Sequence, residues 1–239
     1  MQGLSSLVID QPQTYGEDDD SGDVISMTRK AGLEFDPAKT SIDLYWIPLG
    51  AGGAGLVRFN GWVYEAIKAR GERRRPLDLY HTALEVRVPE GRFTIENAWP
   101  SPNSDVESRG VVFEGPVGNR RIARFRLFRY EVRCWKDGLI PDAGQAVESP
   151  QTLSEDLDRA HRLLDQVASV PALIWGRDES GTGEMWNSNS VISWLLANSG
   201  LPMSDYKPPA GGRAPGWEAG IINARRHTPT GRIPGLVVL

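Results

Sequence analysis

An α+β fold, with a mostly antiparallel sheet packed against helices, is predicted by three features of this 239-residue sequence. Residues 77–88 (LDLYHTALEVRV) alternate like a strand and run into Pro89, Glu90 and Gly91, which turn the chain back into a second extended run. Residues 154–167 (SEDLDRAHRLLDQV) place apolar side chains at helical spacing behind acids that suit a helix start. In WNSNSVISWLLANSG, Val191, Ile192, Trp194, Leu195 and Leu196 are dense enough for a buried helix, and Gly200 stands where a left-handed C-terminal cap belongs. Both periods within one chain of this length predict a single mixed domain.

Taken in order, residues 1–40 are acidic and punctuated by Pro12, Gly16 and Asp18 to Asp20, a composition that cannot repay the entropy of ordering, so they read as a flexible tail. The core is expected over 41–200. It opens with a strand, SIDLYWIPLG, in which Ile42, Leu44 and Trp46 alternate with Asp43, Tyr45 and Ile47. The following GAGGAG lacks the Gly-Lys-Ser/Thr ending of a phosphate loop and reads as a turn. A short amphipathic helix is expected over 61–70. On the strand 77–88, Tyr80, Thr82, Leu84, Val86 and Val88 share one face, and His81, Ala83, Glu85 and Arg87 the other.

Residues 92–98 are its partner, and further strands are expected over 110–114, 122–128 and 130–135. In the helix 154–167, Ser154 is the expected cap and Leu157, Ala160, Leu164 and Val167 the buried stripe, with His161 beside it at the surface. Residues 201–239, rich in Pro and Gly, form a partly ordered extension in which 220–224 could add a strand or clamp the domain.

Composition excludes several functions. With 40 % hydrophobic and 24 % charged residues the chain is an ordinary globular protein, and no apolar run approaches the roughly 20 residues that span a bilayer. The amino terminus lacks a signal-peptide pattern, which points to the cytoplasm. One cysteine and three histidines make a metal centre an unsupported expectation, and no cofactor motif is present. A net charge of −4 argues against a protein devoted to nucleic acid. The local exceptions are RGERRR at 70–75, read as a solvated helix end or loop, and 120–133, where Arg121, Arg124, Arg126 and Arg129 interleave with aromatic residues. The latter pattern suits either a strand with arginine stems over apolar surface or, less well, a nucleic-acid platform.

One pairing could do chemistry. A hydroxyl or thiol in the first turn of a buried helix sits among free backbone N–H groups that favour negative charge, and a strand-borne histidine is the usual base for it. His81 lies on a strand, Glu96 and Asn97 near the end of its partner, and Ser188 opens a helix. The bland alternative is that Asn187-Ser188-Asn189-Ser190 is an N-cap and nothing more.

LYHTALEV and WNSNSVISWLL, in this order, resemble the histidine strand and the Asn-Cys-Asn helix start of the circularly permuted papain-like hydrolases, the group of permuted NlpC-type peptidases, PPPDE peptidases and lecithin retinol acyltransferase relatives. The resemblance spans roughly 41–200, with only these two motifs specific. It implies a hydrolase or acyltransferase for an amide or ester, with Ser188 as nucleophile, His81 as base, Asn97 or Glu96 as the orienting group, and Trp186, Asn187, Asn189 and Trp99 around a cleft walled by 175–183. Ser188 stands where the family keeps its cysteine, and a serine depends more completely on a well-held base. Cys134, on the apolar face of its strand, reads as a buried structural residue. The second reading is a catalytically inactive member of the same fold acting as a binding or interaction module.

Overall fold

The structure, a computed structural model, describes residues 39–49, 75–98, 100, 110–140 and 142–226, all within the compact unit Pro37–Leu239. The expected tail, the glycine-rich turn after residue 49, the helix over 61–70, nearly all of the basic RGERRR stretch, Trp99 and the last thirteen residues lie outside the described residues. What is described is α+β: seven strands and three α-helices, the strands almost all antiparallel.

The strands are β1 (Ser41–Pro48), β2 (Asp78–Val88), β3 (Gly91–Ala98), β4 (Val111–Pro116), β5 (Arg129–Lys136), β6 (Val147–Ser154) and the short β7 (Gly212–Arg213). Their order across the sheet is β4-β5-β3-β2-β1-β6, with β7 parallel to the start of β2. The helices are α1 (Leu157–Asp165), α2 (Ser188–Asn198) and α3 (Trp217–Arg226). None of the described helices is long and apolar enough to cross a membrane.

Alternation fixes which side of the sheet each residue serves. Leu84 pairs with Leu44 on β1 and Ile95 on β3, and these join Ile42, Trp46, Val86, Val88 and Val132 in one core beneath α2, whose Val191, Ile192, Leu195 and Leu196 are fully buried. Each such side chain contributes roughly 1.5–3 kcal/mol on leaving water. The opposite face holds a smaller cluster, Tyr45, Ile47, Ala83 and Ile140, set among charge. Asp43 accepts from Ser41 and Thr152, and the fully buried Glu131 accepts from Arg133, which also reaches Glu96 at 3.1 Å. Both faces of the central strands are therefore covered, which is why β1 is buried along almost its whole length.

Four expectations are corrected. Residues 122–128 are not a strand but two consecutive 3-10 turns, Ile122–Arg124 and Arg126–Phe128. β4 and β5 already close as a ladder at Pro116 and Arg129, so 117–128 is the connection between them. The spacing Ile122, Phe125, Phe128 is the period of three that a 3-10 turn presents. Ser154 ends β6 instead of capping α1; Asp156 is the cap, accepting from Arg159 N at 2.7 Å. Ala160 and Val167 are buried as expected and Leu164 is half-buried against the core, but Leu163 joins the stripe and Leu157 is left 38 % exposed. Finally, 220–224 belong to a helix, α3, which packs on α2 as part of the main core.

Candidate functional site at the start of helix α2

The first turn of α2 is built by the asparagines and serines that precede its apolar run. Its N-terminus is buried, so the backbone N–H groups that have no partner within the helix need side-chain acceptors. Asn187 supplies them: its Oδ1 accepts from Asn189 N at 2.9 Å and Ser190 N at 3.3 Å, while the Ser190 hydroxyl accepts from Asn187 N at 3.1 Å, a reciprocal capping box.

The same side chains fasten the turn to two other parts of the chain. Asn189, 2 % exposed, donates through Nδ2 to the Tyr80 and Pro215 carbonyls at 3.0 and 2.9 Å, and its Oδ1 accepts from the Thr82 hydroxyl at 3.0 Å. Asn187 Nδ2 also donates to the Pro215 carbonyl, and Ser190 Oγ donates to Gly216 O at 2.8 Å. Glu184 holds the same segment from the other side, accepting from Gly216 N at 2.7 Å. Gly216 has φ +87° and its position faces the Asn187 and Ser190 side chains, so both the turn and the space require glycine.

Within the run only Ser188 is uncommitted. Its residue is 7 % exposed and its hydroxyl makes no hydrogen bond to any described residue. It sits on the α2 side of the sheet together with Asn97, whose strand neighbour Ile95 pairs with Leu84. Asn97 is nine-tenths buried, and neither its amide nitrogen nor its oxygen has a partner among the described residues. Trp186 is buried to 2 %, with its indole beside Tyr130, whose hydroxyl donates to the Leu173 carbonyl at 2.9 Å.

His81 is on the other side. It pairs with Ile47 and alternates with Tyr80 and Thr82, which face α2, so its ring points to the face of Ile47 and Ala83. Glu96 shares that face, bound to Arg133. The expected quartet is thus divided: Ser188 and Asn97 lie on one side of the sheet, His81 and Glu96 on the other. Burial holds the His81 pKa below its ordinary value, with nearby Asp142 pulling the opposite way, and burial likewise raises that of Glu96 against the opposing pull of Arg133.

A consequence for stability can be measured. Below its ordinary pKa of 6.5, His81 in the unfolded chain takes up a proton that the folded chain resists, so stability is full above that pH and declines as pH falls through it. The slope has a ceiling of about 1.4 kcal/mol per pH unit for one proton. Urea unfolding between neutral and mildly acid pH is expected to show this decline in the wild type and a shallower one in His81→Gln; parallel curves would refute it.

The stretch 175–183 does not hang free: Trp175 bridges Val117 and Trp186, and Asp178 accepts from Thr182 N and Gly183 N, bonds that hold its carboxyl below the usual range. His161 meets the exposed Glu90 at 3.1 Å. Cys134 packs against the main core, and burial pushes its thiol up to about 12, so it is unreactive at neutral pH. An open groove of about 570 Å³ lined by Gly118, Arg121, Ile174 and Arg177 among others shares no residue with the start of α2. Sequence reasoning overlooked Thr82 and the segment 214–217; the signal for Thr82 was its place on the helix-facing side of β2, one residue from His81.

Compared with known protein families, curated proteins and solved structures, the chain matches none.

Proposed function

We propose that this chain is a catalytically silent scaffold of the permuted papain-like kind that serves as a binding or interaction module. The observation that carries the reading is the separation of His81 from Ser188 by the sheet. A serine hydroxyl becomes a nucleophile when a base within hydrogen-bond reach, about 3 Å, takes its proton. With the histidine ring on the opposite face, Ser188 has no such base in His81, and Asn187, Asn189 and Ser190 are consumed in architecture. The chain order, a histidine-bearing strand ahead of an Asn-Ser-Asn helix start, supports the scaffold half of the proposal.

A fluorophosphonate probe, which reports on activated serines, tests it. The wild type is expected to remain unlabelled, and labelling lost in both Ser188→Ala and His81→Ala would restore the hydrolase or acyltransferase reading. Because the Ser188 hydroxyl bonds no described residue, Ser188→Ala is further expected to shift unfolding free energy by less than about 0.5 kcal/mol. A large loss on chemical denaturation would show that the hydroxyl has a structural partner.

A further inference from the structure

We infer that the ridge 121–128 is a docking surface for an anionic phospholipid membrane, held at the bilayer interface without crossing it. The inference rests on the interaction reading above and names the partner. Of the six large apolar side chains that stand exposed among the described residues, four lie in this one stretch: Ile122 at 37 %, Phe125 at 53 %, Leu127 at 75 % and Phe128 at 38 %. Such clustering at a surface marks a binding site, whereas scattered exposed apolar residues do not.

The ridge is held in place. Arg129 donates to the carbonyls of Ala123 at 2.5 Å and Arg124 at 3.3 Å and is itself anchored on Glu114 at 2.7 Å, while Val117 N bonds Phe128 O at 2.9 Å and closes the loop at its base. The apolar side chains are therefore displayed on a preformed support, and little ordering entropy is lost on binding. Around them stand cations. Arg120 is neutralised by Glu179, but the exposed guanidinium groups of Arg121 and Arg124 form no ion pair with any described residue; that of Arg124 lies 4.8 Å from the centre of the Phe125 ring.

Charge selects the occupant. Four partly exposed side chains amount to an apolar patch on the order of 400 Å², and the two guanidinium groups beside it have no acidic partner among the described residues. An anionic bilayer matches both features: a few apolar side chains enter the acyl boundary while arginine stems lie alongside and present their charge to the phosphates. The acidic remainder of the molecule is screened within about 8 Å at physiological salt, so the local positive charge governs the contact.

The full-length chain is tested by cosedimentation with phosphatidylcholine vesicles containing about one third phosphatidylserine, against pure phosphatidylcholine vesicles and a labelled oligothymidylate. Binding to the anionic vesicles that weakens in high salt is expected. R121Q/R124Q should reduce it about 25-fold, some fivefold per arginine, and Leu127→Ser with Phe125→Ser should abolish it. All of these side chains are exposed, so circular dichroism should show each variant folded. Failure of the wild type to bind anionic vesicles, equal binding by the variants, or binding to the oligonucleotide alone overturns the inference. The serine-probe result does not depend on the ridge, so failure here is distinguishable from failure of the interaction reading.

Discussion

Asn189→Ala is expected to destabilise the protein by about 4 kcal/mol, more than any other single change in the first turn of α2. Alanine removes one acceptor and two donors at once, and stranding a buried polar group costs about 1–3 kcal/mol. The Tyr80 carbonyl, the Pro215 carbonyl and the Thr82 hydroxyl all lose a partner. The three costs are not fully additive, since the Pro215 carbonyl keeps its bond from Asn187. The measurement is urea denaturation with Thr82→Val alongside. If Asn189 is the fastener described, the double variant should cost less than the sum of the two single ones, because the Thr82 bond is already lost in each. Strict additivity, or a loss below about 1 kcal/mol in Asn189→Ala, would mean that α2 is held on β2 by apolar packing alone.

Gly220→Ala should also destabilise, by about 3 kcal/mol, although alanine in the middle of an ordinary helix stabilises by about 1 kcal/mol relative to glycine. The sign is reversed by the crossing of α3 over α2. A Cβ at 220 would land against the Ser193 hydroxyl and the backbone carbonyl of Ser190, well inside contact distance. Backbone cannot swing aside as a side chain can, so the helices must separate, with a loss typical of overpacked cores. The Ser193 bond to Trp217 O, at 2.7 Å, would lengthen with them. A higher melting temperature in Gly220→Ala would show that the crossing has slack.

The parts of this fold that could be read beforehand are those where burial imposes a period. β1, β2 and β3 are legible because one face of each must be apolar, and α2 because its apolar density has no other use. β6 was not foreseen. Its sequence, VESPQTLS, holds a proline and few apolar residues, and as the edge strand beside β1 it needs no second apolar face. Over the 3-10 ridge, arginine alternating with apolar residues imitates a period of two and so predicts a strand, whereas the closing pair of β4 and β5 that makes it a loop is set by residues on either side of it.

For the candidate site the division is sharper. Local sequence was sufficient to identify the Asn-Ser-Asn-Ser helix start, the strand carrying His81, and the assignment of His81 and Thr82 to opposite faces of that strand, because each follows from chemistry within a few residues. Which face would receive α2 was decided only in three dimensions. Thr82 and Tyr80 meet Asn189, and His81 turns to the side of Ile47, because the larger apolar surface of β1, β2 and β3 lies on the Leu84 side and a buried helix must follow that surface. A period of two states that neighbours part company; it does not state which neighbour keeps the helix.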